Sequence, residues 1–359
     1  MSQQIMSKHP IRVLIAEDSL FTAHLLQKIL EDAPDIEVVG VATTGKEAVE
    51  MATALRPDVI TMDYEMPEMN GLEALEIIMK TVHVPVIMCS LYTRRGAEIT
   101  TQALLMGAVD VVQKPRSQVE LPLIQEELLR KIRAAVRSQG VRALKPLAEP
   151  PQPPPKPQLG RLLQIGDPVI VIAASTGGPR TLATLLQSLP PDLGAAILIV
   201  QHMPPHFTHT LAHRLDLYSA LRVAEAEEGM RLTIGSALLA PGGVHTTLLN
   251  FRTIRLTLDP PVNHVRPAAD VTMRSVARFH GERAIGVVLT GMGEDGREGA
   301  RAIKQAGGTV IAQDESSSVV YGMPRAVVEA GLADYVQPPE EIAQTLIDLI
   351  RRMSRHDTA

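Results

Sequence analysis

A proline-rich segment constrains the fold of this chain more than any other feature. Between Pro146 and Pro157, seven of twelve residues are proline. Because proline lacks an amide hydrogen and fixes φ, neither a helix nor a central strand can run through such a stretch. We therefore expect a semi-rigid linker over 139–165, separating a first domain, 1–138, from a second, 166–359. A peptide ligand for an aromatic groove is the alternative use of such a sequence.

In the first domain, short apolar runs alternate with amphipathic segments. The predicted strands are 11–16, 36–42, 58–62, 84–89 and 110–112, and the predicted helices are 20–30, 45–55, 71–80, 95–106 and 119–138. This alternation predicts a parallel sheet with helices on both faces. Ser19 directly precedes the first helix and is expected to cap it.

Polar side chains stand where four of these strands end. Glu17 and Asp18 follow the first strand, Asp63 the third, Ser90 the fourth and Lys114 the fifth. In a doubly wound sheet these ends gather in one crevice. Three neighbouring carboxylates repel one another, and Mg2+, which prefers carboxylate, water and phosphate ligands, relieves that repulsion. The pattern favours a pocket that holds a phosphoryl group on Asp63; solvated loop ends are the alternative.

A second α/β pattern follows the linker. Its predicted strands are 169–174, 196–201, 237–240, 284–289, 309–312 and 334–336, and its predicted helices are 179–189, 205–217, 268–280, 297–306, 323–330 and 339–353. Residues 244–258 alternate as a hairpin does. The fold class is therefore α/β with two doubly wound domains, the second being larger.

The stretch VIVIAASTGGPR, residues 169–180, predicts a buried strand that turns sharply into a helix. Ser175 lies in that turn, where open α/β sheets place ligands and where helix amides can stabilise an oxyanion. A phosphate-binding or purely structural turn is the alternative. A serine becomes nucleophilic only beside a base that a third group orients.

Two later strand ends offer these partners. His202 follows the second strand of the domain, and Asp295 lies in a glycine-rich loop after the strand 284–289. The imidazole would take the proton of Ser175 and the carboxylate would orient the imidazole. Glu294 competes with Asp295 for the acidic role. Three further histidines are spaced so that they share one face of a helix, which makes a metal site the alternative: His206, His209 and His213. Their spacing matches no recognised metal-binding motif.

Composition narrows the classes of function. The net charge of −5 argues against general affinity for nucleic acid. The single cysteine, Cys89, excludes an intramolecular disulfide and fits a reducing compartment. The sequence contains no apolar run of membrane-spanning length and no recognisable signal peptide. We expect a cytoplasmic protein that does not insert into membranes.

Residues 11–137 resemble a response-regulator receiver domain, which has a flavodoxin-like fold. The matching residues are Glu17-Asp18, the stretch 62–71 (MDYEMPEMNG), Ser90 and Lys114-Pro115. The resemblance implies phosphorylation of Asp63 by a CheA-type histidine kinase, with Lys114 as phosphate partner and Ser90 as the hydroxyl that senses the phosphate. It also implies an Mg2+ site formed by Glu17, Asp18, Asp63 and the carbonyl of Tyr64.

From Val169 to about Leu349 the chain resembles the catalytic domain of the chemotaxis protein-glutamate methylesterases, the CheB family. The matching stretches are 174–179 (ASTGGP), 200–204 (VQHMP), 240–243 (APGG), 289–296 (LTGMGEDG), 311–314 (IAQD) and 321–324 (YGMP). By position, the nucleophile, base and orienting acid are Ser175, His202 and Asp295. Thr176 and Met292 would line the oxyanion region. Ala173 departs from the glycine expected there.

These resemblances imply a phosphorylation-activated serine hydrolase that acts in chemosensory adaptation. It would demethylate glutamyl methyl esters on methyl-accepting chemoreceptors, giving glutamate and methanol, and would deamidate receptor glutamines. Mg2+ is expected in the receiver, and no cofactor is expected in the catalytic domain. The unphosphorylated receiver would cover the catalytic face.

Three rival hypotheses remain at this stage. A response regulator whose second domain only binds a partner would share the first domain. A DNA-binding regulator is disfavoured because no helix-turn-helix or basic recognition helix stands out. A nucleotide-binding reductase is disfavoured because no G-x-G-x-x-G opens the second domain.

Overall fold

The computed structural model describes residues 9–90, 94–114, 121–137, 156 and 160–356. The chain divides into two compact units, Met1–Pro146 and Leu147–Ala359. Most of the predicted linker lies outside the described residues. Its Lys156 is described, and its ammonium donates to the carbonyls of Ser219 and Leu221 at 2.7 and 2.8 Å and pairs with Asp216 at 2.9 Å. At this point the chain is already attached to the second unit.

The first unit contains a five-stranded parallel sheet in the order β2-β1-β3-β4-β5, the flavodoxin-like order. Its strands are β1 (Ile11–Ala16), β2 (Ile36–Ala42), β3 (Val59–Asp63), β4 (Val86–Ser90) and β5 (Asp110–Gln113). Its helices are α1 (Leu20–Glu31), α2 (Gly45–Leu55), α3 (Gly71–Thr81), α4 (Arg94–Met106) and α5 (Leu121–Arg137). The predicted alternation and fold class are confirmed.

Local signals explain why these elements begin where they do. The hydroxyl of Ser19 accepts the amide of Thr22, so the predicted cap of α1 is confirmed. Asn70 and Glu73 form a reciprocal capping box at the start of α3. β3 and β4 are buried along their whole length, because helices cover both faces of the sheet. Each strand begins one or two residues later than predicted and ends one residue later, on a polar side chain, Asp63 or Ser90.

The second unit contains a seven-stranded parallel sheet in the order β14-β13-β12-β6-β7-β9-β8 and a separate antiparallel hairpin, β10-β11. Its strands are β6 (Val169–Ala174), β7 (Ala196–Gln201), β8 (Arg222–Glu225), β9 (Ser236–Leu239), β10 (His245–Asn250), β11 (Thr253–Thr257), β12 (Ala284–Val288), β13 (Thr309–Gln313) and β14 (Tyr335–Gln337). Its helices are α6 (Gly178–Gln187), α7 (Phe207–Tyr218), α8 (Ala269–His280), α9 (Arg297–Gln305), α10 (Met323–Glu329) and α11 (Pro339–His356).

One strand of this sheet, β8, was not predicted from the sequence. β8 has only four residues, and Val223 is the one that is buried. It lies at the edge of the sheet with β9 as its single neighbour. A short edge strand buries one side chain and therefore leaves no apolar run in the sequence. The predicted hairpin, in contrast, is confirmed.

The order of strands places one crevice near the centre of the sheet. β6 lies between β7, which follows it in the chain, and β12, which arrives much later. The connection after β6 leads to β7 on one side, whereas the connection after β12 leads to β13 on the other side. Such a switch point opens a crevice at the carboxyl ends of the strands. Among the helices of the described ranges, none has the length and apolar character required to cross a bilayer.

Candidate active site and phosphoryl pocket

In the first unit, the predicted polar side chains gather at the carboxyl end of the sheet. Lys114 Nζ lies 2.6 Å from Asp63 Oδ2 and 2.8 Å from Glu17 Oε2. Glu17, Asp63 and Ser90 are buried, whereas Asp18 is exposed. One ligand atom from each of Glu17, Asp18 and Asp63 lies within 4.8 Å of the others. Three carboxylates and one ammonium therefore share a single pocket.

The electrostatics of this pocket favour an added cation. Burial, together with the charge of Asp63, raises the pKa of Glu17 to about 7, although Lys114 opposes the shift. Burial also raises the pKa of Asp63, against the hydrogen bonds from Lys114 and from the backbone. One ammonium therefore does not fully compensate the buried carboxylates, and a divalent cation would complete the compensation. The donor set fits Mg2+.

The backbone of Tyr64 is used locally. Its amide donates to Asp63 Oδ1 at 2.6 Å, and its carbonyl accepts the amides of Gly71 and Met66 at 2.9 and 3.2 Å. A carbonyl oxygen has two lone pairs, and both serve the turn before α3. The ligand role of Tyr64 therefore has less support than that of the three carboxylates and stays a prediction.

In the second unit, the turn after β6 positions Ser175. Gly177 adopts φ +77°, in the left-handed region, and α6 begins at the next residue, with Pro179 as its second. The amide of Ser175 donates to the carbonyl of Thr290 at 3.0 Å, and its carbonyl accepts the amide of Gly178 at 2.8 Å. Ser175 is half-buried at the crevice of the sheet.

His202 follows the strand next to that of Ser175. Ala174 is paired with Gln201 in the β6-β7 register, so Ser175 and His202 leave the sheet side by side. The amide of His202 donates to the carbonyl of Ala174 at 3.0 Å, which attaches the start of one turn to the other. Both residues thus emerge at the same edge of the sheet, as predicted.

Asp295 meets the imidazole directly. Its Oδ2 lies 2.7 Å from Nε2 of His202, and the carboxylate is almost fully buried. Burial alone would raise the pKa of Asp295, but the hydrogen bond and charge of His202 and the amides of Ala269 and Asp270 lower it below its ordinary value. The carboxylate therefore stays ionised beside the imidazole, which suits a group that orients a base.

The structure decides between the competing acidic and histidine residues. Asp295 contacts the imidazole, whereas Glu294 is exposed and pairs with Arg297 at 2.5 Å. His209 lies 3.4 Å from Glu225 on an exposed surface. Within the described ranges, Glu17, Asp18 and Asp63 form the one group with metal-ligand geometry. His206, His209 and His213 are not part of such a group.

Of the two residues predicted for the oxyanion region, Thr176 directly follows the serine and Met292 lies in the loop after β12. Thr176 is buried, and its carbonyl accepts the hydroxyl of Thr290 at 3.0 Å. Met292 is half-buried and directly follows Gly291. A Cβ added to Gly291 would lie 2.8 Å from Cβ of Ser175. The loop after β12 thus passes directly beside the serine.

Sequence reasoning missed two residues that hold the turns together. The buried amide of Gln201 donates to the carbonyls of Ser175 and His202 at 2.9 and 3.2 Å. Thr290 holds Ser175 and Thr176 from the β12 side, and its own amide donates to the buried Gln313 at 2.7 Å. The position of Gln201, directly before His202 at the end of an apolar strand, was the available signal.

Comparisons with known proteins match both units of the chain. The CheB methylesterase family matches residues 170–346, and the response regulator receiver domain family matches residues 13–124. A protein-glutamate methylesterase/protein-glutamine glutaminase of Pyrococcus horikoshii is 43% identical over 97% of this chain and 97% of its own length. The enzyme of that name from Thermotoga maritima is 44% identical over 96% of this chain and 100% of its own length.

A solved structure supports the fold of the second unit. The crystal structure of the Thermotoga maritima CheB methylesterase catalytic domain is 45% identical, with a TM-score of 0.50. The match covers 51% of this chain and 98% of the crystallised domain. Because relatives of this kind match along nearly the whole sequence, the protein belongs to the CheB family of protein-glutamate methylesterases, response regulators with a receiver domain and a methylesterase domain.

Proposed function

We propose that this protein hydrolyses glutamyl methyl esters on methyl-accepting chemoreceptors, giving glutamate and methanol, and deamidates receptor glutamines. The supporting observation is the 2.7 Å contact between His202 and Asp295 at a sheet edge shared with Ser175. This set of groups, on neighbouring strand ends, is what acyl transfer by a serine requires. The site of action is the cytoplasm.

The chemistry proceeds through an acyl-enzyme. Since Nε2 of His202 faces Asp295, Nδ1 is the nitrogen that takes the proton from Ser175. The serine oxygen attacks the ester carbonyl, and amides near Thr176 and Met292 stabilise the oxyanion. The carbon–oxygen bond to the methoxy group breaks, and methanol leaves with the proton held by His202. Water, deprotonated by His202, then releases the glutamate and regenerates the serine.

Glutamine follows the same path. The amide nitrogen leaves as ammonia instead of methanol, and the product is again a glutamate side chain. Each turnover therefore restores a negative charge to the receptor, which links the reaction to adaptation.

The receiver pocket supplies control. Asp63 accepts a phosphoryl group from a CheA-type histidine kinase, with the phosphorus–nitrogen bond of the donor exchanged for an acyl phosphate on Asp63. Glu17, Asp18 and Asp63 are the residues that would hold Mg2+, which when bound neutralises charge on the phosphoryl oxygens. Lys114 pairs with the phosphate, and the hydroxyl of Ser90 responds to it.

Release of methanol from methylated receptor tests the assignment. We expect Ser175→Ala to reduce the release to background. Ser188→Ala is the matched control, because Ser188 is an exposed serine at the end of the same helix and its hydroxyl donates only to the carbonyl of Thr184 among the described residues. A wild-type rate in Ser175→Ala would overturn the proposal. A folded wild type that binds receptor and releases no methanol would favour the regulator that only binds a partner.

A further inference from the structure

A second buried carboxylate lies beside Asp295. Asp270 is almost fully buried in the first turn of α8. Its Oδ1 accepts the amides of Gly296 and Gly299, at the start of α9, at 2.9 and 2.7 Å. Asp295, which precedes α9, in turn accepts the amides of Ala269 and Asp270 at the start of α8, at 2.6 and 3.1 Å. Asp270, in α8, therefore caps α9, and Asp295, just before α9, caps α8.

This reciprocal capping explains how two neighbouring carboxylates can both be buried. Each carboxylate lies at the N-terminal end of a helix, where amides and the helix dipole stabilise negative charge. The compensation is incomplete for Asp270, because burial and the charge of Asp295 raise its pKa although the hydrogen bonds from Gly299 and Asn263 oppose the shift. Arg274 is the nearest cation to Asp270, with 3.8 Å between Nη2 and Oδ2. The two carboxylates therefore still repel each other, and a donor that contacts both of them reduces that repulsion.

Asn263 supplies that donor. Its side-chain nitrogen lies 2.9 Å from Oδ2 of Asp270 and 3.1 Å from Oδ1 of Asp295. One amide group therefore bridges the two carboxylates with its two hydrogens. Asn263 is exposed and adopts φ +54°, a left-handed conformation that asparagine tolerates better than most residues. Its replacement should therefore disturb the bridge without opening a hole in the core.

We propose that Asn263 and Asp270 are positioning residues of the esterase, which fix the carboxylate of Asp295 and thereby the ring orientation and tautomer of His202. Asp295 Oδ2 is used by His202 and Ala269, and its Oδ1 by Asn263 and Asp270. All its lone-pair directions are thus filled, so the carboxylate cannot rotate away from the imidazole without losing donors. This inference rests on the proposed function.

Two substitutions at Asn263 distinguish an electrostatic role from a packing role. Asn263→Gly removes the side chain and tolerates the positive φ. Asn263→Asp keeps the shape but places a third carboxylate against Asp295 and Asp270. We expect kcat/KM to fall about three- to tenfold in the glycine variant, since hydrogen bonds to charged groups are strong and this one is partly solvated. The aspartate variant should lose more, about 10- to 100-fold.

The matched controls are Asn250→Gly and Asn250→Asp. Asn250 is exposed and accepts the amides of Arg252 and Thr253 in the turn of the β10-β11 hairpin. These variants should keep the wild-type rate. The acidic limb of the pH profile of kcat/KM should move to higher pH in both Asn263 variants, since added or unsatisfied negative charge favours the imidazolium. The shift should be larger for aspartate, while KM changes little.

A spectroscopic measurement is independent of turnover. The nitrogen-15 resonances of the His202 ring, recorded above the acidic limb, report which ring nitrogen carries the proton. We expect the wild type to hold the Nε2–H tautomer and the Asn263 variants to show a mixture. If the wild type has no esterase activity, the tautomer still tests the positioning role. An unchanged tautomer and profile, or an aspartate variant milder than the glycine variant, would overturn the inference.

Discussion

A carboxylate inside a protein keeps its charge only where donors or cations surround it, and the two sites of this chain meet that condition differently. Asp295 accepts four hydrogen bonds and has a lowered pKa. Glu17 and Asp63 share one ammonium, that of Lys114, and their pKa values are raised. The charge of Asp295 is therefore compensated by hydrogen-bond donors, whereas the carboxylates of the receiver pocket would gain from an added cation.

The raised pKa of Glu17 predicts a pH-dependent affinity for Mg2+. Its folded pKa of about 7 exceeds the ordinary 4.5. The proton therefore competes with the metal below pH 7, and the affinity should rise from about pH 5.5 to about pH 7.5 and then level off, by at most about tenfold per pH unit. Calorimetric titration of the full-length protein measures this, and Glu17→Gln should flatten the curve. A wild-type affinity that does not change over this pH range would contradict the prediction.

At the scale of elements, the active site is a junction of strand ends and helix starts. Gly291, after β12, donates to Val320 and accepts the amides of Gly322 and Met323, where α10 begins. On its other side it touches the turn of Ser175. No side chain fits at this junction, which is why the loop after β12 can approach the serine so closely.

Gly291→Ala should therefore impair catalysis more than folding. The added Cβ would lie 2.3 Å from Sδ of Met323 and 2.8 Å from Cβ of Ser175. The methionine can yield, but the serine must shift as well, and a displacement of about 1 Å can cost about 100-fold in rate. Ester hydrolysis and thermal unfolding of the variant measure the two effects.

Gly194→Ala is the control for this substitution. Its nearest neighbour would be a methyl group of Ile350 at 3.2 Å, at the other end of the sheet, and its backbone is not in the left-handed region. This variant should keep the wild-type rate. Equal activity in the two variants would show that the junction tolerates a methyl group.

At the scale of the whole molecule, the chain combines a phosphoryl pocket and a hydrolase site in separate units. The two units carry their own parallel sheets, with five and seven strands. Lys156, which lies in the predicted proline-rich linker, binds the second unit. The proposed control requires that phosphorylation of Asp63 in one unit changes the reaction at Ser175 in the other.

Asp63→Asn tests that control. The variant should keep the basal rate of methanol release and lose the increase produced by acetyl phosphate and Mg2+, because the amide cannot form the acyl phosphate. Asp58→Asn is the matched control, since Asp58 is exposed near the other end of β3 and accepts the amide of Arg12 at 2.8 Å. It should respond as the wild type does. Stimulation that persists in Asp63→Asn would place the phosphoryl group elsewhere.

Local pattern was sufficient for much of the site. The apolar runs of β1, β3, β6 and β7 predicted buried strands, and the polar residue after each run marked a position at the crevice. This works because parallel strands covered on both faces are mostly apolar, so a polar residue directly after the apolar run signals the end of the strand. β8 was not predicted in this way, because a short edge strand buries too few side chains to leave an apolar run.

The sequence by itself determined the two α/β units, the residues at their strand ends and the family to which they belong. Only the tertiary structure decided that Asp295, and not Glu294, meets His202, and that Asn263, Asp270, Gln201 and Thr290 hold the set together. The physical reason is that periodicity reports which residues are buried, whereas hydrogen bonds between distant segments depend on how the loops pack at the end of the sheet.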